Sequence, residues 1–117
     1  MGEGVIDHRG LKSSGRWAAM AFDEQMANIA SEVFRALTLP ENGMEREANT
    51  AFERCLELID MTRACLSGPR LRELSRVREV LCDYFLGIHA YGATKDQLLD
   101  YFTAFAIAFR YRRHRGQ

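Results

Sequence analysis

Arginine is the residue type with which this chain could bind most strongly to something else. The stretch SGPRLRELSRVREV, residues 67–80, contains four of them, Arg70, Arg72, Arg76 and Arg78. They stand where a helix is expected to begin, which is the end that disfavours positive charge. A planar guanidinium binds carboxylates and phosphates through two parallel hydrogen bonds. The cluster could therefore pair with a neighbouring helix or bind a nucleic-acid backbone.

Acidic residues upstream favour pairing within the chain. Residues 41–60 contain six carboxylates and two arginines. If the chain folds back on itself at Gly68, Asp60 lies opposite Arg76, so we predict this ion pair. Arg78 is expected at the edge of an apolar stripe, where a semi-buried cation needs a partner; Glu53, Asp83 or a backbone carbonyl could provide it. Arg70 and Arg72 remain as candidates for binding outside the chain.

A second basic segment, RYRRHRGQ, ends the sequence at residues 110–117. At the C-terminal end of a helix such cations complement the helix dipole. The same residues could form a basic arm that contacts nucleic acid, with Tyr111 stacking on a base. The candidate nucleic-acid-binding residues are thus Arg70, Arg72, Arg110, Arg112, Arg113 and Arg115.

The residue types that usually carry catalysis or bind metal are scattered. No two of the three histidines are four residues apart, and the three cysteines, Cys55, Cys65 and Cys82, form no CxxC pair. A zinc site needs such clustering. We therefore predict no metal site, no cofactor and no catalytic residues, and no small-molecule substrate is evident from the sequence. The odd cysteine number favours a reducing cytoplasm.

Bulk composition indicates one ordinary globular domain. The chain has 117 residues, of which 47% are hydrophobic and 27% charged. Lysine plus arginine and aspartate plus glutamate both number 16, so no net charge attracts the chain to nucleic acid or to a membrane surface. The first 20 residues lack the apolar core of a signal peptide, and no apolar run is long enough to span a membrane.

Apolar periodicity predicts four helices. Phe22, Met26, Ile29, Val33 and Leu37 recur every three or four residues in the first. The second and third are expected at about 44–66 and 69–86, separated by SGP, and the fourth opens with the capping box TKDQ at 94–97. Short connections favour an antiparallel four-helix bundle over residues 17–112. Residues 1–16 are expected to be a disordered or loosely packed tail, and residues 113–117 a basic tail.

The fourth helix is too apolar for a single core. Leu98, Phe102, Phe105 and Phe109 form the expected inward stripe. Leu99, Tyr101 and Ala108 then lie on flanking faces, and an exposed apolar face usually marks an interface. We therefore predict that these three residues mediate self-association. In the alternative, residues 1–20, especially Trp17 and Met20, cover this face.

Four stretches carry a resemblance to a known family: WAAMAFDEQMANIASEVFRAL, AFERCLELIDMT, RLRELSRVREVLCDYFLG and YGATKDQLLDYF. Together they resemble a family of small, uncharacterised bacterial helical proteins with no assigned activity, which implies a bacterial, cytosolic, all-helical protein. Size and helix number are more loosely similar to the four-helix accessory proteins of reverse-transcriptase retroelements and ribosomal-RNA intervening sequences. Those proteins form ring-shaped oligomers that bind nucleic acid, which is a likeness at the level of the fold.

The sequence thus favours a non-enzymatic helical interaction module that forms a homo-oligomer or binds a protein partner. The alternative is an accessory protein that binds RNA or DNA through its arginines. A salt-sensitive affinity for nucleic acid would favour the alternative, because phosphate contacts weaken steeply with salt.

Overall fold

The computed structural model describes residues 15–115, and within this range the protein is helical without any strand. The predicted all-α class is confirmed. Four long helices follow one another: α1 (Phe22–Thr38), α2 (Glu45–Arg63), α3 (Gly68–Leu86) and α4 (Lys95–Arg115).

Two short helical segments flank α1. A helical turn at 15–18 precedes it, and a 3₁₀ turn at Leu39–Asn42 connects it to α2. The first turn includes Gly15 and Arg16, which the sequence analysis assigned to the N-terminal tail; they are helical instead. The rest of the predicted tail lies outside the described residues. Likewise α4 extends to Arg115, so residues 113–115 continue the helix rather than leave it.

Two predicted helix boundaries, at the start of α4 and between α2 and α3, have the local chemistry expected from the sequence. Gln97 donates its backbone N–H to Thr94 Oγ1 over 3.1 Å, and Thr94 donates its own to Gln97 Oε1 over 2.9 Å. This is the reciprocal capping box. Gly68, with φ of +65°, adopts the left-handed conformation between α2 and α3, and the following proline occupies the first turn of α3.

The core lies around α1, which packs against both α2 and α4. The predicted apolar stripe of α1 is buried, except for Phe22 at its start, which is half-buried. The other helices contribute fewer fully buried side chains, such as Ile59 from α2, Leu74 and Leu81 from α3 and Phe102 from α4. Each large apolar side chain buried in this way contributes roughly 1.5–3 kcal/mol. These contacts determine which faces of α3 and α4 are left for other partners.

Ion pairs join α1 to α4 at both ends. Asp23, in the first turn of α1, binds Arg112 near the end of α4. Glu41, just after α1, binds Lys95 at the start of α4. The start of α1 therefore lies beside the end of α4, and the end of α1 beside the start of α4.

The pairing between α2 and α3 differs from the prediction. Asp60 binds Arg78 rather than Arg76, with Arg78 Nε 2.8 Å from Oδ1 and Nη2 3.2 Å from Oδ2. The turn residues, 64–67, all precede Gly68, which is already the first residue of α3. Asp60 and Arg78 are equidistant from position 69 rather than from Gly68, so the partner of Asp60 lies two positions beyond the predicted one.

Trp17 is anchored on α2. Its indole Nε1–H donates to Thr62 Oγ1 over 2.8 Å, and both side chains are buried. Gln25 Nε2 in turn donates to the Trp17 carbonyl oxygen over 2.9 Å. Met20 packs at the edge of the core. Trp17 is thus held at the end of α2, whereas the alternative reading of the sequence placed it over α4.

Candidate functional site

Two of the six candidate arginines are used inside the chain, at the start of α1. The Arg70 guanidinium carbon lies 4.3 Å from the centroid of the Phe22 ring, within the range of a cation–π contact. Arg112 binds both carboxylate oxygens of Asp23, with Nη2 2.9 Å from Oδ1. The hydrogen bond from Arg112 lowers the pKa of Asp23 below its ordinary value. These two arginines therefore hold α3 and α4 against α1.

The other four candidates are less engaged. Arg72 and Arg110 are exposed and make no hydrogen bond or ion pair within residues 15–114. Arg113 lies over the ring of Phe109 on its own helix, 5.8 Å from the centroid. Arg115 is the last residue of α4, and its side chain lies outside the described part. Among the described arginine side chains of α4, Arg110 and Arg113 are therefore the two that form no ion pair with a carboxylate.

Two of the three predicted interface residues pack within the chain. Tyr101 is half-buried, and its hydroxyl donates to Glu73 Oε2 on α3 over 2.6 Å. Burial and the neighbouring Glu73 carboxylate raise the pKa of Tyr101. Leu99 is also half-buried against the core. These residues connect α4 to the rest of the protein.

A different side of α4 is exposed and apolar. Ile107 is 60% exposed and Tyr111 is 63% exposed, and the third predicted interface residue, Ala108, lies beside them. With Ala104, also exposed, they form what we call the outer face of α4: Ala104, Ile107, Ala108 and Tyr111. The exposure of Ile107 could have been predicted from the helical periodicity of the sequence. This residue follows the buried Phe102 by five residues, which is nearly the opposite side of a helix.

The connection between α3 and α4 is tightly built. Asp83 accepts the backbone N–H of Ala90 over 2.8 Å and that of Tyr91 over 3.2 Å. Tyr91 then donates its hydroxyl to Glu79 over 2.8 Å. A Cβ at Gly87 would lie 3.0 Å from the Asp83 Cα, so a side chain there would require the backbone to shift by a few tenths of an ångström. This fixed loop leaves Ile88 88% exposed.

The thiols lie in different surroundings. Cys55 is buried, and burial raises its pKa to about 12, so it is a poor nucleophile. Cys65 is exposed, and Cys82 is half-buried with its Sγ 3.8 Å from Arg78 Nη1. Within the described range, no three histidine, cysteine, aspartate or glutamate residues gather as metal ligands would. None of the described helices combines the length and apolarity needed to cross a bilayer.

Comparison with known proteins gives no further lead. The resemblance to small bacterial helical proteins therefore stays a prediction. No protein-family model, no curated protein and no solved structure matches this chain.

Proposed function

We propose that the four long helices form an antiparallel four-helix bundle. For α1 and α4, the support is the pairing of opposite ends, Asp23 with Arg112 and Glu41 with Lys95. For α2 and α3, it is the ion pair between Asp60 and Arg78. Phe52 of α2 also packs on Phe85 of α3, with ring centroids 4.6 Å apart. Short connections are typical of such bundles.

On this scaffold we infer a non-enzymatic interaction module that associates with a second copy of itself. The observation that carries this proposal is the outer face of α4. Ile107 and Tyr111 are exposed there, while Leu98 and Phe102 on the opposite side of the same helix are buried. A contiguous exposed apolar face of this kind usually marks an interface.

A second copy of the chain suits this face in shape and in charge. Ala104 and Ala108 are four residues apart, and their small side chains let another helix approach closely. The N-terminal half of α4 has Asp96 and Asp100, whereas its C-terminal half is rich in arginine. Two α4 helices that pair in opposite directions place acidic halves beside basic halves, and such complementarity favours this orientation.

A binding role is favoured over catalysis because a thiol and two carboxylates that could take part in chemistry are buried or engaged in structural contacts instead. The Cys55 thiol is buried with a raised pKa. The Asp60 carboxylate binds Arg78 and Arg63, and the Asp83 carboxylate holds the loop after α3. All three cysteines carry free thiols, which supports a location in the reducing cytoplasm.

Sedimentation velocity tests self-association. We expect the wild type at tens of micromolar to sediment as a species larger than its 13.4 kDa monomer. Ile107→Glu should shift it to the monomer, because a carboxylate would be buried between the two helices. Ile88→Glu is the matched control, since it changes an exposed isoleucine outside α4 and should leave the distribution unchanged. A wild type that is monomeric throughout, or equal effects of both substitutions, would contradict the proposal.

The second candidate is an accessory protein that binds RNA or DNA. Arg72 and Arg110 support it, since both are exposed without a partner in the described part of the chain. Arg70 and Arg112 would first have to leave Phe22 and Asp23. Fluorescence anisotropy with a labelled RNA at two salt concentrations tests it. Binding that weakens steeply with salt and is lost in Arg72→Gln/Arg110→Gln would favour this candidate, whereas no binding at low salt would reject it.

A further inference from the structure

A groove of about 480 Å³ runs between α1 and the C-terminal half of α4. Its α1 side consists of small residues, Ala27, Asn28 and Ser31. The polar groups of Asn28 and Ser31 bond to carbonyl oxygens of their own helix. This volume is in the range of small-molecule sites in proteins, about 300–1,000 Å³. The groove lies beside the outer face of α4 but does not include Ile107.

The α4 side of the groove is basic. Arg110, Arg113 and His114 line it, and no aspartate or glutamate does. This imbalance is notable in a chain whose acidic and basic residues are equal in number. Arg110 has no ion pair in the described part of the chain, and Arg113 contacts only the face of Phe109. Two guanidinium charges therefore face the same groove without a counter-ion among the described residues.

Their spacing suits one shared anion. Arg110 and Arg113 are three residues apart, so they are neighbours on one face of the helix, with Cβ atoms about 5–6 Å apart. Guanidinium groups bind phosphate oxygens with a planar pair of hydrogen bonds. A phosphate monoester carries close to two negative charges at neutral pH, which matches two arginines better than a single carboxylate does.

The helix dipoles do not oppose such a ligand. The C-terminal end of α4 carries a partial negative charge, but the N-terminal end of α1, with its partial positive charge, lies at the same end of the protein. The contact between Asp23 and Arg112 fixes this arrangement. The two partial charges largely offset each other, so the arginines dominate the local potential.

We propose that the groove between α1 and α4 binds the phosphate group of a small organic phosphate through Arg110 and Arg113. His114 supplies a further nitrogen at the groove edge. Phe109 and Ala106 give the groove an apolar part that can contact the organic portion of the ligand. None of the four residues of the outer face of α4 lines this groove.

Isothermal titration calorimetry of the full chain tests the proposal, with adenosine 5′-monophosphate as the probe and adenosine as the uncharged control. We expect the nucleotide to bind and adenosine not to bind. Arg110→Gln/Arg113→Gln should weaken nucleotide binding about tenfold or more, because each substitution removes charge-assisted hydrogen bonds. The matched control is Arg46→Gln/Arg76→Gln, which removes two exposed arginines outside the groove and should bind as the wild type does.

Inorganic phosphate separates the two parts of the ligand. Equal affinities for phosphate and nucleotide would assign the groove to the phosphate group alone, and a higher affinity for the nucleotide would add a contribution from the organic part. Absence of nucleotide binding at millimolar concentration would overturn the proposal. Equal weakening in the two double variants would also overturn it, because binding would then reflect overall charge. Circular dichroism confirms that the variants are folded.

Discussion

The carboxylate of Asp60 accepts two hydrogen bonds from Arg78, and a third comes from Arg63 over 3.1 Å. Partial burial would raise the pKa of Asp60, but the hydrogen bonds from the two arginines outweigh burial and lower the pKa. Arg63 also donates to Ser75 Oγ on α3 over 3.1 Å. One carboxylate and two arginines therefore set the register between α2 and α3.

A double-mutant cycle with alanine at Asp60 and Arg78 should show a favourable coupling of about 0.5–1 kcal/mol, the range of partly exposed ion pairs. The same cycle for Asp60 and Arg76 is the control and should give a coupling near zero. Urea unfolding provides the free energies. A larger coupling with Arg76 would mean that the register in solution differs from the one described.

Acid should remove the contributions of Asp23 and Asp60. Both have pKa values below the ordinary value of 3.8, so their stabilisation is present above that pH and is lost as pH falls through the lower folded-state value. Asp23→Asn and Asp60→Asn should be less stable than the wild type near neutrality and should lose less stability on acidification. Urea unfolding from about pH 6 to about pH 2.5 measures this. Glu57→Gln, on the exposed side of α2, should follow the wild-type curve, and the prediction fails if all three variants share one slope.

Thr62→Val should lower the free energy of unfolding by about 1–3 kcal/mol, because the buried indole N–H of Trp17 loses its acceptor. Thr50→Val is the control on the same helix, since the Thr50 hydroxyl is exposed and bonds only to the Arg46 carbonyl oxygen. Combining Thr62→Val with Trp17→Phe should cost less than the sum of the two. Strict additivity would show that the Trp17–Thr62 bond is not formed in solution.

Tyr101→Phe should lower stability by about 1 kcal/mol through loss of the bond to Glu73, while leaving the sedimentation behaviour unchanged. Tyr91→Phe removes a similar bond to Glu79, but at an exposed position, so its effect should be smaller. Chemical denaturation and sedimentation of both variants check this. Dissociation of an oligomer by Tyr101→Phe would assign this tyrosine to the interface after all.

Features that depend only on residues close together in the chain could be predicted from the sequence. The stripe from Met26 to Leu37 is buried, and the Thr94–Gln97 capping box forms, because both depend on residues within a few positions of each other. Contacts between distant segments could not be read in this way. Arg70 meets Phe22, and Arg112 meets Asp23, across 48 and 89 positions respectively. Spacing along the chain does not show which helices that are distant in sequence become neighbours.

The candidate site was predicted only in part for the same reason. Ala108 lies on the exposed outer face of α4, and its part in self-association stays a prediction. Tyr101 was placed outward because the position of α3 was unknown, and α3 brings Glu73 to its hydroxyl. The free charge of Arg110 could likewise be recognised only once α1 was seen to bring no carboxylate to the groove.

Because the three cysteines lie in different surroundings, the reactivity of each thiol can report where the folded protein opens. Cys65 is exposed and should react with a thiol reagent in the native state, whereas the buried Cys55 can react only after the helices around it open. Cys82, between these extremes, would report movement of α3 alone. The order and rates of alkylation, read by mass spectrometry, would therefore distinguish detachment of one helix from complete unfolding without any added label.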